Sequence, residues 1–283
     1  MASDKQKILR SIYQLPPSSG QYSIENLCLR ALQADGVQLS LADEEYISRF
    51  RKSLFNEVFA YQEEHVRRGG MTSFFIADRH ALRIRLISEE DGFQAFRRAQ
   101  LRSRTLRWLT QLSDRQYEFA SGKAMESLGS NRVRVTAGGN EYGMDFLAIV
   151  PAFSINPLFL SKVRGIRIIG QAKKYSDPVS RDKIQSFNDC VSAVKYGNGQ
   201  AGRVLPAWFL ASDLPILGCY VAHSGFQAGA RKLANEMGHI LLDSVGLAEI
   251  IANPRSFDIG ENLESIERTL WGCLPGIEKK FAA

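Results

Sequence analysis

No apolar run in this chain is long enough to span a bilayer as a helix. The segment Met1-Ala2-Ser3-Asp4-Lys5-Gln6-Lys7 has no apolar stretch of the kind a secretory leader carries. A soluble, cytoplasmic protein with no membrane partner is therefore expected. Cysteine is scarce: Cys28, Cys190, Cys219 and Cys273 lie far apart, with no C-x-x-C pair and no neighbouring histidine. That spacing argues against a zinc site or a thioredoxin-like centre and fits reduced, mostly buried thiols. Ser-His-Asp order, a P-loop and a G-x-G-x-x-G fingerprint are all missing. Internal repeats and low-complexity tracts are absent as well. Acids are outnumbered, 30 against 36 Lys and Arg in 283 residues, for a net charge of +6. A basic excess of that kind is compatible with a polyanionic partner.

What is present is an apolar fraction of 45%, enough for a well-buried core. The first hundred residues read mainly helical. Amphipathic stretches cover Lys5 to Tyr13, Ser23 to Ala34 and about Ala42 to Arg67, where Phe50, Leu54, Val58 and Tyr61 recur at helical spacing. Met71 to Ile76 and Ala81 to Ile87 read as two short strands around Asp78-Arg79-His80. Such a unit suits DNA recognition or dimerisation equally. Gly92 to Leu112 is helical and free of acids, with Arg97, Arg98, Arg102, Arg104 and Arg107 as candidate phosphate contacts or as a solvated face joining two halves.

Beyond it, strands and helices alternate. Helix Asp114–Leu128 precedes strands Arg132–Thr136, Met144–Val150 and Ile166–Ala172. Helix Ser180–Tyr196, strand Ile216–Val221, helix Phe226–Met237, strand Ile240–Leu242 and helix Leu247–Ala252 follow. This order predicts an α/β fold with a mixed sheet flanked by helices. Three segments are expected: 1–104, mainly helical; 105–254, α/β; and 255–283, a tail with one helix over Glu261–Trp271.

The chemistry lies on adjacent strands. Asp145 opens an apolar strand after a glycine-rich stretch, and Gln171-Ala172-Lys173-Lys174 closes the next. Asp145 offers a carboxylate to a hard cation such as Mg²⁺ or Mn²⁺. Gln171, as a neutral amide, is the weaker ligand, so a backbone carbonyl near Ala172 and bound waters complete the set. Lys173, two residues from Gln171, shares its strand face and is placed to orient the attacking water or stabilise developing negative charge, whereas Lys174 points away. Ser224, before the Phe226 helix, is a candidate N-cap and weak phosphate contact. His223 reads as structural.

Asp114-Arg115-Gln116-Tyr117-Glu118-Phe119 is followed in order by Leu128-Gly129, Arg132 to Thr136, Gly138 to Asp145, and Ile168-Ile169-Gly170-Gln171-Ala172-Lys173-Lys174-Tyr175. Ala222-His223-Ser224-Gly225-Phe226, His239 to Asp243 and Leu247 to Ile251 continue the pattern. Over roughly 105 to 253 these stretches together resemble the catalytic domain of the Mrr family of restriction endonucleases, a branch of the PD-(D/E)XK superfamily. The resemblance implies a PD-(D/E)XK fold, in which glutamine takes the place of the usual second acid. It also implies a metal-dependent DNA endonuclease of restriction or anti-phage defence, with Glu118 reaching the metal through water. Two segments depart from the pattern by their length, Pro151 to Arg164 and Gly197 to Pro215. A homodimer or higher homo-oligomer is expected, and translocation would need a partner ATPase or defence-complex subunit. Two alternatives stay open: a catalytically silent DNA-binding subunit, and a structure-specific or RNA-directed nuclease.

Overall fold

The computed structural model describes residues 2–136, 143–151, 165–197, 205–252 and 266–282. The N-terminal layer is built by local signals. Helix α1 (Ala2–Gln14) is followed by a short strand β1 (Gln21–Ser23). Ser23 then caps α2 (Ile24–Ala34), its hydroxyl accepting from Asn26 N–H. A capping box between Ser40 and Asp43 starts the long helix α3 (Leu41–Arg67). The two expected strands are β2 (Phe74–Asp78) and β3 (Arg83–Leu86), which pair antiparallel, and β1 adds to β3 to make a three-stranded antiparallel sheet. Three residues are too few to show a period-2 pattern, which is why β1 is not evident in the sequence.

The second layer starts with α4 (Phe93–Gln111) and α5 (Asp114–Ser127), the latter opened by a Ser113–Gln116 capping box. Strands β4 (Arg132–Val135), β5 (Phe146–Pro151) and β6 (Gly165–Lys173) pair antiparallel. Helix α6 (Arg181–Lys195) and the one-turn α7 (Ala207–Leu210) lead to β7 (Ile216–Ala222), parallel to β6. Helix α8 (Ala228–Glu236), β8 (Ile240–Asp243) and α9 (Ser244–Ile251) complete a mixed five-stranded sheet of order β4-β5-β6-β7-β8. The α/β sheet flanked by helices is thus as expected. Among the described residues no helix is long and apolar enough to cross a membrane.

Alternation along the strands gives the sheet two buried faces. Phe146, Ala148, Ile168 and Ala172 face one core, and Leu147 and Ile169 face the other, beneath α6 and α8. The first core does not stop at the N-terminal layer. It runs continuously from Ile8 through Phe55, Trp108 and Ile251 to Ile277. The expected boundary between residues 104 and 105 therefore falls inside α4, which packs against α1, α9 and α10 (Ile266–Ala282). The tail helix runs past the expected end at Trp271, and the expected start at Glu261 lies outside the described residues. It docks on this same core through Leu270, Leu274 and Ile277, with Trp271 edge-on to Trp108. Pro254, expected to end the α/β segment, lies outside the described residues, as do most of Pro151 to Arg164 and part of Gly197 to Pro215. The described end of the latter is anchored: Arg167 donates to the carbonyls of Leu214 at 2.7 Å and Phe209 at 2.9 Å.

Candidate active site

Asp145 stands one residue before the Phe146↔Gly170 pair of β5 and β6. Its backbone is fixed from both sides: its N–H donates to Gly170 O at 2.8 Å, and its carbonyl accepts from Thr136 N–H at 3.0 Å. The Thr136 hydroxyl donates to Met144 O at 2.7 Å. The strands therefore hold the main chain while the carboxylate projects where β5 begins and β6 ends. There Asp145 Oδ2 accepts from Ala172 N–H at 2.8 Å and from Lys173 Nζ at 2.9 Å. The Lys173 and Asp145 side chains are 24% and 14% exposed, shielded from bulk water yet open to a substrate.

Period-2 geometry places Gln171 and Lys173 on one face of β6 and turns Ala172 into the core. Gln171 lies against Gly143, where a Cβ would come within 3.1 Å of its Nε2, and Gly143 has φ +81°. A side chain at 143 would be strained in that conformation and would crowd the amide. Lys174 points away as expected. Its ammonium donates to Thr110 O at 2.8 Å and to Leu112 O, closing the C-terminal end of α4.

Glu118 on α5 accepts from Arg115 Nη1 at 2.6 Å. Burial, and next the charge of Asp145, push its carboxyl above the usual range, while Arg115 and Lys173 pull against them. The four residues thus share one electrostatic site. Two further neighbours were not evident in the sequence. Tyr220 is 1% exposed and stands beside Gln171 in the β6–β7 register. Its phenol is raised by burial, then by Tyr175 and Asp145. Cys190 on α6 is raised to about 11 by burial, then by Asp145. Only the strand register and the packing of α6 bring these two near the carboxylate, and neither can be read from one sequence.

Three expectations change. The arginines of α4 do not form one strip. At about 100° per residue, Arg97, Arg104 and Arg107 fall on one side and Arg98 and Arg102 on another. Arg102 is 4% exposed, 3.6 Å from Glu249 and over the Tyr13 ring, so it serves the core and cannot touch phosphate in this fold. Ser224 is not an N-cap, because α8 starts later with Gln227 as its cap. The Ser224 hydroxyl donates to Tyr175 O at 2.8 Å and accepts from Arg10 at 3.2 Å, and the residue is buried at 6% exposure. It ties α1 to the end of β6 and is no phosphate contact.

The donor set suits a hard cation. Among the described residues no three His, Cys, Asp or Glu side chains gather as a metal cage. The available oxygens are instead the Asp145 carboxylate, the Gln171 amide, the Ala172 carbonyl and, further out, Glu118. The Ala172 N–H points to Asp145, and in an extended strand the C=O of the same residue projects to that side as well. Few protein ligands, all oxygen, with waters completing the shell, is the pattern Mg²⁺ accepts.

Residues 109–204 match the restriction endonuclease family model Mrr_cat. That span holds Glu118, Asp145, Gln171 and Lys173, and it ends before β7 and β8, which complete the sheet. The resemblance read from the sequence extends further, to about residue 253. Among solved structures, the chain is similar to the MspJI restriction endonuclease in complex with a 27-mer oligonucleotide, at 14% identity and a TM-score of 0.40. That alignment covers 70% of this chain and 39% of the other. It is also similar to the restriction endonuclease FokI, at 14% identity and a TM-score of 0.35, covering 94% of this chain and 46% of the other. The chain thus spans less than half the length of either. No curated protein matches it.

Proposed function

We propose that this chain is a metal-dependent DNA endonuclease of Mrr type, acting in the cytoplasm in restriction or anti-phage defence. One observation carries the reading: Asp145 meets Lys173 and the Ala172 amide at the strand ends, inside the segment that matches a restriction endonuclease model. Asp145, Gln171 and the Ala172 carbonyl would hold Mg²⁺ or Mn²⁺. When bound, such an ion lowers the pKa of a coordinated water and offsets charge on the phosphoryl oxygens. Lys173 neutralises Asp145 and presents an ammonium where negative charge develops on the phosphorane. Glu118 orients water beside the carboxylate. With a carboxyl shifted upward, it is ionised less readily than an ordinary glutamate and gains that charge as pH rises.

DNA is the substrate of this reading. One such site cuts one strand, so a double-strand break needs two, and a symmetric homodimer is the simplest arrangement. The test is a cleavage panel of methylated and unmethylated plasmid, linear duplex, single strands and RNA, each with Mg²⁺ and with chelator. Mg²⁺-dependent nicking or cutting of DNA is expected. Cleavage that persists in chelator, or cleavage of RNA alone, would contradict it.

A further inference from the structure

A second recess opens at the sheet edge where β6, β7 and β8 end. Lys173, Ala222 and Asp243 stand in register across these parallel strands, so Asp243 is two strands from the catalytic lysine. Between β8, α9 and the C-terminal half of α3 lies a cavity of about 430 Å³. That volume is in the range of small-ligand sites, and the carboxyl end of parallel strands is where such sites form.

Its floor is a polar network on an aromatic surface. Tyr61 donates to Asp243 Oδ2 at 2.6 Å, and His65 Nε2 lies 2.7 Å from Glu249 Oε2. The Tyr61 and His65 rings are parallel to within 8°. The His65 and Glu249 side chains are only 10% and 17% exposed. At the rim, Arg68 is 49% exposed and shares Glu64 with Arg67. Arg231, on α8, is half-buried and lines the cavity with no ion pair among the described residues. The acids around the cavity already have counter-donors. Glu57 meets Lys5, Glu64 meets two arginines, Asp243 holds Tyr61 and Gly246 N–H, and Glu249 holds His65 beside Arg102. Asp243, held by neutral donors alone, and Arg231 are thus the two lining charges with no ion pair among the described residues.

We propose that this cavity binds a nucleoside monophosphate, either free or as an unpaired terminal nucleotide of a DNA strand. A nucleobase supplies a flat face for Tyr61 and N–H groups for the remaining lone pairs of Asp243 and Glu249. A phosphate supplies the oxygens that the Arg231 and Arg68 guanidinium forks match. Occupancy would brace α3 against β8 and α9. It would also press on Phe226, a wall of the cavity that packs edge-on against Tyr220 beside Gln171. The site is separate from the proposed nuclease centre and does not depend on it.

Calorimetric titration of the full chain without divalent cation tests this, with wild type and Asp145→Ala in parallel so that binding is read apart from cleavage. The probes are dAMP, dGMP, dCMP and dTMP, the matching deoxynucleosides, inorganic phosphate, and duplexes with or without one unpaired terminal nucleotide. At least one monophosphate should bind at one site per chain. Its deoxynucleoside and inorganic phosphate should bind roughly tenfold or more weakly, as expected for losing interactions of charge-assisted strength. Arg231→Ala should weaken binding by a similar factor. Ala60→Trp, placing an indole at an exposed rim position, should abolish it, with circular dichroism confirming both folds. Selective binding of the duplex with an unpaired end, lost in Ala60→Trp, would support the DNA source. Binding of free monophosphates would support the free one. Failure of every nucleotide form to bind, affinity unchanged by both variants, or inorganic phosphate binding as tightly as the monophosphates would overturn the proposal.

Discussion

His223 shows how a single residue records its surroundings. It is 7% exposed, its Nδ1 lies 2.9 Å from Ser244 Oγ, and its ring meets Tyr117 edge-on. Burial, then Arg10 and Lys174, lower its pKa from 6.5 to about 3. The folded protein thus keeps this ring neutral while the unfolded chain takes up a proton as pH falls through 6.5. Stability is lost over that window, at up to about 1.4 kcal/mol per pH unit. In urea unfolding between pH 7 and 4, His223→Gln should show a shallower loss than wild type. Equal slopes would mean that the histidine is protonated in the fold. The same packing explains why His223 reads as structural from sequence: a lone histidine at a strand end has no acidic or metal-ligating company. Asp145, Gln171 and Lys173 are legible because their chemistry is local to two strands. Tyr220 and Gly143 are not, because their roles come from register and from a 3.1 Å approach. Ser224 misleads because its hydroxyl serves Tyr175 O, a partner 49 residues away.

At the level of elements, α4 carries the clearest revision. Its acid-free composition suggests a phosphate-facing strip, yet the helix is enclosed by α1, α9 and α10. Arg102→Ala should destabilise the fold by about 1–3 kcal/mol, because Glu249 keeps His65 but loses the nearby buried cation. Arg97 and Arg98 sit further out and have no ion pair among the described residues. Replacing both with alanine should leave stability within about 0.5 kcal/mol per site. It should also flatten the log–log salt dependence of DNA binding by about 0.9 for each phosphate that the helix no longer neutralises. An Arg102→Ala protein that melts like wild type would contradict the buried pair. An unchanged salt slope in the double variant would remove α4 from the DNA surface. Capped helices and apolar strands are legible to within a few residues because their signals are local. Helix α7 and strand β1 are too short to show periodicity. Which side of α4 meets the core is fixed by α1, α9 and α10, all distant from it in the chain.

At the scale of the whole molecule, one core from Ile8 to Ile277 joins the N-terminal layer, one face of the five-stranded sheet and the tail helix. Unfolding of the full chain by calorimetry should therefore give a single cooperative transition. Two resolved transitions would restore a boundary near residue 104. Sequence cannot reveal this continuity, since a buried helix and a linker helix differ only in what packs against them. The central proposal is chemical: that Asp145 and Lys173, joined at 2.9 Å, serve phosphodiester cleavage. The most direct measurement is DNA affinity beside a cleavage time course with Mg²⁺, for wild type, Asp145→Ala and Lys173→Ala. Both variants should bind within a few fold of wild type and lose the cut, since groups that act in the transition state change rate and not affinity. Cleavage at the wild-type rate by either variant would contradict the account.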